Sequence, residues 1–236
     1  MQNNKLGIIF ISGAGLQPWI WQEAAKEIPL PYATIDFTDL KKGKRLNDIT
    51  IDDYVQAALA QVAALNVEKA IIVTHSIGGI IGTELAKRLG DKVAGFAAAC
   101  AAIPRPGKSF LSLFPFPQSF ITGMIMRIVG TKPPASAIKS GLCNDIDDAT
   151  ASRVADSFDP ESIKLYTTPT SSTPLPQVPS LYIITTNDKE YPLDLQRTMA
   201  DQLGATIIQI DAGHLPMISK TNETVAAIQT LIQKVQ

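Results

Sequence analysis

VTHSIGG, residues 73–79, ends the apolar run Ala70-Ile71-Ile72-Val73 with three polar residues and follows them with two glycines. A plain strand-to-helix turn accounts for this pattern. So does a nucleophile elbow, in which a serine is held out on a strained turn. Small neighbours are needed there because the turn crowds the adjoining strand and helix. In that reading Ser76 is the nucleophile and Gly78 stands two residues beyond it, with Gly79 next. Thr74, two residues before, occupies a place where glycine is usual. The local string leaves both readings open, so the rest of the chain has to choose.

Outward from the elbow, strand-like and helix-like segments alternate. Strands are expected at Leu6–Ile11, Tyr32–Phe37, Ala70–Val73, Val93–Ala102, Leu181–Thr185 and Ala205–Ile210. Helical spacing marks Trp19–Ile28, Asp52–Leu65, Gly79–Leu89, Leu193–Leu203 and Thr221–Val235. The near-continuous apolar run from Val93 suits a central parallel strand covered on both faces. Repeated βα units predict an α/β fold with a mostly parallel sheet and helices on both sides. The alternation breaks between Pro104 and Pro179. That stretch holds most of the prolines, the aromatic residues Phe110, Phe114, Phe116 and Phe120, and helical patches around 145–157. It is expected to be a helical cap, with residues 167–179 as a return linker. The domain expectation is therefore a core of 1–103 and 179–236 and a cap with its linker at 104–178.

A nucleophilic serine needs a base, and the chain has only two histidines. His75 adjoins Ser76 on the elbow and should point away from its hydroxyl. His214, in the loop between the last strand and the last helix, is left as the base. A carboxylate must orient the imidazole and stabilise its charged form. The strand ending near Ala102 is followed by no acid, whereas Asp188 follows Leu181–Thr185; Glu190 is the weaker candidate and Asp211 reads as a loop brace. The order Ser76, Asp188, His214 is that of the hydrolase elbow proteins. An oxyanion formed on Ser76 would need two backbone donors. The Ile77 N–H is one, and the glycine-containing loop Ser12-Gly13-Ala14-Gly15 supplies the other.

Bulk properties narrow the function classes. The 236 residues are 45% hydrophobic and 18% charged, which suits a protein with a sizeable core. A formal charge of −1 provides no basic field for nucleic acid. Cys100 and Cys143 are too few for a disulfide framework and lack metal-ligand spacing. The N-terminal apolar run reads as a strand rather than a signal peptide, and Phe110 to Val129 is too interrupted to span a bilayer. A cytoplasmic protein is expected, without cofactor or metal and without stable membrane anchoring. A homodimer is left open. The basic run Lys41-Lys42-Gly43-Lys44-Arg45 reads as a solvated loop. The apolar cap segment reads as a lid in preference to a lipid-binding surface.

The stretches SGAGLQPWIWQ, VTHSIGG, YIITTNDKEYPLDLQ and IDAGHLPMISK together resemble the α/β-hydrolase superfamily over essentially the whole chain. Within it the likeness is to the plant methylesterase and hydroxynitrile lyase branch and its bacterial relatives. The resemblance implies Ser76, Asp188 and His214 as triad, Ala14 and Ile77 as oxyanion donors, and a cap that shapes the acyl pocket. Gly13, Trp19, Phe110, Phe114 and Leu215 are the expected substrate contacts; Trp21, Phe116, Met124 and Met126 are further pocket candidates. Ser12 stands where the family usually has histidine. Lyases of this branch carry lysine after the catalytic histidine and threonine in the first loop. Leu215 and Gly13 occupy those places here, so a serine esterase acting on a small-molecule ester is favoured over a lyase. A thioesterase or acyltransferase with the same triad, and a ligand-binding protein with little turnover, are the alternatives.

Overall fold

The computed structural model describes residues 6–172 and 175–236. Six strands form one parallel sheet: β1 Leu6–Ile11, β2 Tyr32–Thr34, β3 Lys69–His75, β4 Val93–Ala99, β5 Ser180–Thr185 and β6 Thr206–Ile210, in the spatial order β2-β1-β3-β4-β5-β6. The helices are α1 Gln22–Lys26, α2 Thr38–Lys41, α3 Ile51–Ala63, α4 Gly78–Leu89, α5 Gln118–Val129, α6 Ala135–Gly141, α7 Asp148–Asp156, α8 Ile163–Thr167, α9 Leu193–Leu203, α10 Pro216–Ser219 and α11 Thr221–Val235.

Alternate strand residues feed two separate cores, as the two-residue period of a strand requires. Ile8, Phe10, Ile71, Val73, Leu181 and Ile183 pack with α1 and α11 on one face. Ile9, Ile11, Ile72, Tyr182 and Ile184 pack with α3, α4 and α9 on the other. Local chemistry sets the helix ends. Thr50 and Asp53 form a reciprocal capping box at the start of α3, with the Asp53 N–H donating to Thr50 Oγ1 at 3.2 Å and the Thr50 N–H to Asp53 Oδ2 at 2.9 Å. At the end of α9, Gly204 takes the left-handed conformation that most side chains resist.

Two expected strands are shorter than the sequence pattern suggested. The second stops at Thr34, because from Ile35 the chain turns toward α2. The fourth stops at Ala99, because Cys100 turns to φ +35° and leaves the ladder. The segment after β4 carries α5 to α8 before the chain returns as β5; of the expected return linker, Thr173 and Pro174 lie outside the described residues.

The strand order reverses between β1 and β3. In open parallel sheets ligands gather at the carboxyl ends of the strands at such a switch point. Ser12-Gly13-Ala14-Gly15 follows β1 and Ser76 follows β3, so both arrive there.

Candidate active site

Ser76 sits between β3 and α4 at φ +51°, a left-handed conformation that costs an ordinary residue about 1–2 kcal/mol. Its surroundings explain the glycines. A methyl group at Gly78 would collide with the Ser12 carbonyl, and one at Gly79 with the Ala102 carbonyl. The turn is therefore held against two neighbouring strand ends with no room for a Cβ. Thr74 fits despite its bulk because Gly82, one turn along α4, leaves space for its methyl group, and its hydroxyl donates to the Ala97 carbonyl at 3.2 Å.

His214 and Asp188 are joined by a 2.8 Å hydrogen bond from imidazole Nδ1–H to Oδ2, and both side chains are fully shielded from solvent. Asp188 is held by more than the histidine. Its Oδ2 accepts from Thr185 Oγ1 at 3.0 Å, and its Oδ1 accepts the N–H groups of Glu190 at 2.7 Å and Tyr191 at 3.0 Å. Burial would raise its pKa, but His214 and these N–H donors outweigh burial and hold the carboxyl below its ordinary value. His214 is displaced upward, well above the ordinary 6.5, against the pull of burial. Burial also pushes Cys100 up, so it stays a neutral thiol and the upward push on His214 comes from Asp188. The other ring nitrogen, Nε2, has no partner among the described residues. Ser76 and His214 line the same cavity of about 430 Å³.

His75 makes no hydrogen bond to the serine among the described residues, but it is not idle. Its Nε2 lies 2.7 Å from the His214 carbonyl, and the Cys100 thiol reaches the same oxygen at 3.4 Å. A carbonyl can only accept, so His75 carries its proton on Nε2. Burial drives its pKa down to about 3, which keeps the ring neutral. His75, Cys100 and His214 offer donor atoms within 4.8 Å of one another. Two of the three are occupied in bracing the His214 backbone. Asp211 braces the same region, accepting from Thr186 Oγ1 and Asn187 Nδ2. Nothing in the sequence marked Cys100 for this task.

The loop after β1 meets the elbow directly: a Cβ on Gly13 would strike Ser76. Ala14 and Ile77 both face the cavity, and neither N–H donates to a protein acceptor among the described residues. Ile77 is also the N-cap of α4, whose N-terminal dipole end lies at the same spot. The segment before α8 clamps this loop from outside. The Asp159 N–H donates to the Gly15 carbonyl at 3.0 Å, and Phe158 packs against Gly15. Buried Glu161 accepts the Gly15 N–H at 3.4 Å and the Tyr54 hydroxyl at 2.7 Å. Lys41 pairs with Glu161 at 3.0 Å and Asp159 at 2.9 Å. The basic run is thus not wholly solvated: Lys41 is only 13% exposed because the clamp needs its charge. The Tyr54 oxygen also accepts the Ser162 N–H at 3.0 Å. Tyr54→Phe is expected to destabilise the fold by about 1–3 kcal/mol, because it leaves two buried groups without a partner. Chemical denaturation measures this, and an unchanged midpoint would remove the clamp from the stability account.

Of the expected substrate contacts, Phe110 and Phe114 line the cavity, as does Met126. Gly13, Trp19 and Leu215 are not among its walls. Gly13 is pressed against the elbow, Leu215 is buried in the core, and Trp19 stacks under the Arg153 guanidinium, 3.8 Å from its ring centre. Trp21 is core as well. The aromatic cluster is split: Phe116 is 81% exposed and Phe120 63%. Their places in the cavity wall are taken by Phe158, Tyr166 and Tyr191. Sequence reasoning missed Tyr191. Its ring stands edge-on to His214 at 5.2 Å, and it lines the same cavity as Ser76, which pulls its pKa down. Burial is the stronger influence and holds the phenol well above its ordinary range, so it stays a neutral donor. Only its position three residues after Asp188 hinted at this. Lys189 and Glu190 also line the cavity, and both are exposed.

An extracellular α/β-hydrolase from a Paenibacillus species, described as sharing structural and functional homology with tobacco salicylic acid binding protein 2, superposes with a TM-score of 0.82 at 17% identity, covering 96% of this chain and 98% of that one. A polyneuridine aldehyde esterase variant gives 0.75 at 18%, covering 98% and 100%. A pyrethroid hydrolase from Sphingobium faniae JZ-2 gives 0.72 at 20%, covering 97% and 98%. No curated protein sequence matches the chain. At such identities the likeness speaks for the fold. The model of the alpha/beta hydrolase family matches residues 8–228, and the chain belongs to that family.

Proposed function

We propose that the protein is a serine hydrolase that cleaves small carboxylic esters through an acyl-enzyme. The observation that carries the reading is the fully buried Asp188–His214 pair, whose free Nε2 shares one cavity with a serine held at φ +51°. Ser76 Oγ attacks the ester carbonyl while His214 Nε2 takes its proton. The carbonyl oxygen becomes an oxyanion and receives the Ala14 and Ile77 N–H groups. His214 then protonates the departing alcohol. Water, deprotonated by the same nitrogen, attacks the acyl carbon, and the proton returns to Ser76 as the acid leaves. Asp188 keeps the imidazole in the tautomer this requires.

Residues 104–178 act in this reading as a cap on a core of 1–103 and 179–236. Phe110, Phe114, Phe158 and Tyr166 wall the acyl side and favour short or flat acyl groups. Cyanide leaves as an anion, so cyanohydrin cleavage needs a desolvated cation beside His214. Lys189 does line the cavity, but it is exposed next to Glu190 and is not desolvated, so the esterase reading stands.

The test compares p-nitrophenyl acetate and methyl esters of aromatic acids with mandelonitrile, alongside labelling by a fluorophosphonate probe. Ester turnover and labelling are expected. Cyanide release faster than ester cleavage would overturn the reading. Inactivity without labelling would favour a binding protein of hydrolase fold.

The pH profile is a second check. His214 must be neutral to accept the serine proton, and Asp188 favours its protonated form. Proton loss therefore needs a higher pH than for a free imidazole. kcat/KM is expected to rise with pH through one ionisation whose midpoint lies above about 6.5. A flat profile from about pH 5 to 9 would exclude His214 as the base.

A further inference from the structure

We infer that the outward face of α5 is a docking surface for an anionic lipid layer. The helix has two unlike faces. Thr122 and Met126 turn inward to the cavity. The opposite face presents Phe120, Ile121, Met124, Ile125 and Ile128 to solvent, and Phe116 just before the helix is more exposed still. Successive steps of 100° put those five side chains on one continuous arc, with Arg127 at its edge. A surface helix of a water-soluble domain normally carries polar groups there, and an apolar patch of this extent marks an interaction site.

Charge decides what covers the patch. From Pro104 to Asn144 the chain carries Arg105, Lys108, Arg127, Lys132 and Lys139 and no aspartate or glutamate, although its overall formal charge is −1. Arg105, Lys108, Arg127 and Lys132 are all exposed. A second copy meeting this face with its own would bring together two basic segments that hold no acid between Pro104 and Asn144. An anionic headgroup layer matches both the apolar arc and the exposed Arg127 and Lys132 that adjoin it, as for helices that lie in the plane of a membrane interface. None of the helices is long and apolar enough to cross a bilayer among the described residues, so the contact is peripheral. The lid expected from sequence therefore has a second side. A consequence, resting on the hydrolase reading, is that apolar esters dissolved in the layer enter the cavity past the same helix.

Co-sedimentation of the full chain with vesicles of equal parts phosphatidylcholine and phosphatidylglycerol, and of phosphatidylcholine alone, tests the inference. Binding to the mixed vesicles is expected, weakening with added salt. Ile125→Asp/Ile128→Asp should reduce partitioning at least about tenfold, since it removes two apolar contacts and adds like charge. Hydrolysis of dissolved p-nitrophenyl acetate by that variant should not change. Ser76→Ala should bind vesicles normally, which separates this inference from the hydrolase reading. Failure to sediment at low salt, equal binding by the double variant, or a dimer that only the double variant dissociates would each overturn it.

Discussion

Ser76→Ala is expected to lower kcat by about 10⁶ with the fold intact, the scale at which removal of a serine nucleophile silences a triad. The residual rate reflects what the Ala14 and Ile77 N–H groups and the cavity supply without covalent chemistry. Retention of the fold is expected because the backbone of Ser76 holds the elbow to its neighbours among the described residues. The Ser76 carbonyl accepts from Ala102 N–H at 2.7 Å and from Gly79 N–H at 3.0 Å. Ser76→Gly makes a useful partner. It should be equally inactive but at least as stable, because glycine adopts φ +51° without the strain a Cβ brings. Turnover by Ser76→Ala at the parent rate would sink the assignment. A large stability loss in both variants would mean that the hydroxyl holds the elbow together.

The parts of the fold that were legible in the sequence are those in which each residue's own preference agrees with its surroundings. Leu6–Ile11, Leu193–Leu203 and Thr221–Val235 lie where the pattern put them, because β-branched runs and helix-period faces bury the sides they advertise. Periodicity failed where tertiary contact ends an element. Ala99 to Ala102 is as apolar as any strand, yet Cys100 turns out of it to reach the His214 carbonyl. For the site, the pairing of Asp188 with His214 was readable from chain order alone, because the fold delivers successive strand ends to one edge. The walls were not. Phe110 and Phe120 look alike in sequence, yet Phe110 packs against Tyr166 and Tyr191 while Phe120, on α5, faces solvent. Lys41 likewise looked solvated within a basic run. Its partner Glu161 lies 120 residues away, a distance no local pattern spans.

Asp188→Asn is expected to cost about 10⁴ in kcat, the loss seen when this substitution inverts the imidazole tautomer in another triad. The carboxylate can only accept, so it forces the His214 proton onto Nδ1 and leaves Nε2 bare toward the cavity. An asparagine can turn its NH₂ toward Nδ1, because its carbonyl can keep the Glu190 and Tyr191 N–H groups that Oδ1 now holds. The proton then moves to Nε2, where the base is needed. The charge is lost as well. With Asp188 neutralised, burial alone acts on His214 and pulls its pKa down, so whatever activity remains should titrate at lower pH than the parent. Glu190→Gln is the control. Its backbone N–H, not its carboxylate, holds Asp188, and the residue is exposed. Its effect should be small and should leave the pH midpoint in place. Equal, small losses from both substitutions would move the acid elsewhere. A large loss in Asp188→Asn with the parent midpoint would mean that the carboxylate positions the ring without setting its charge.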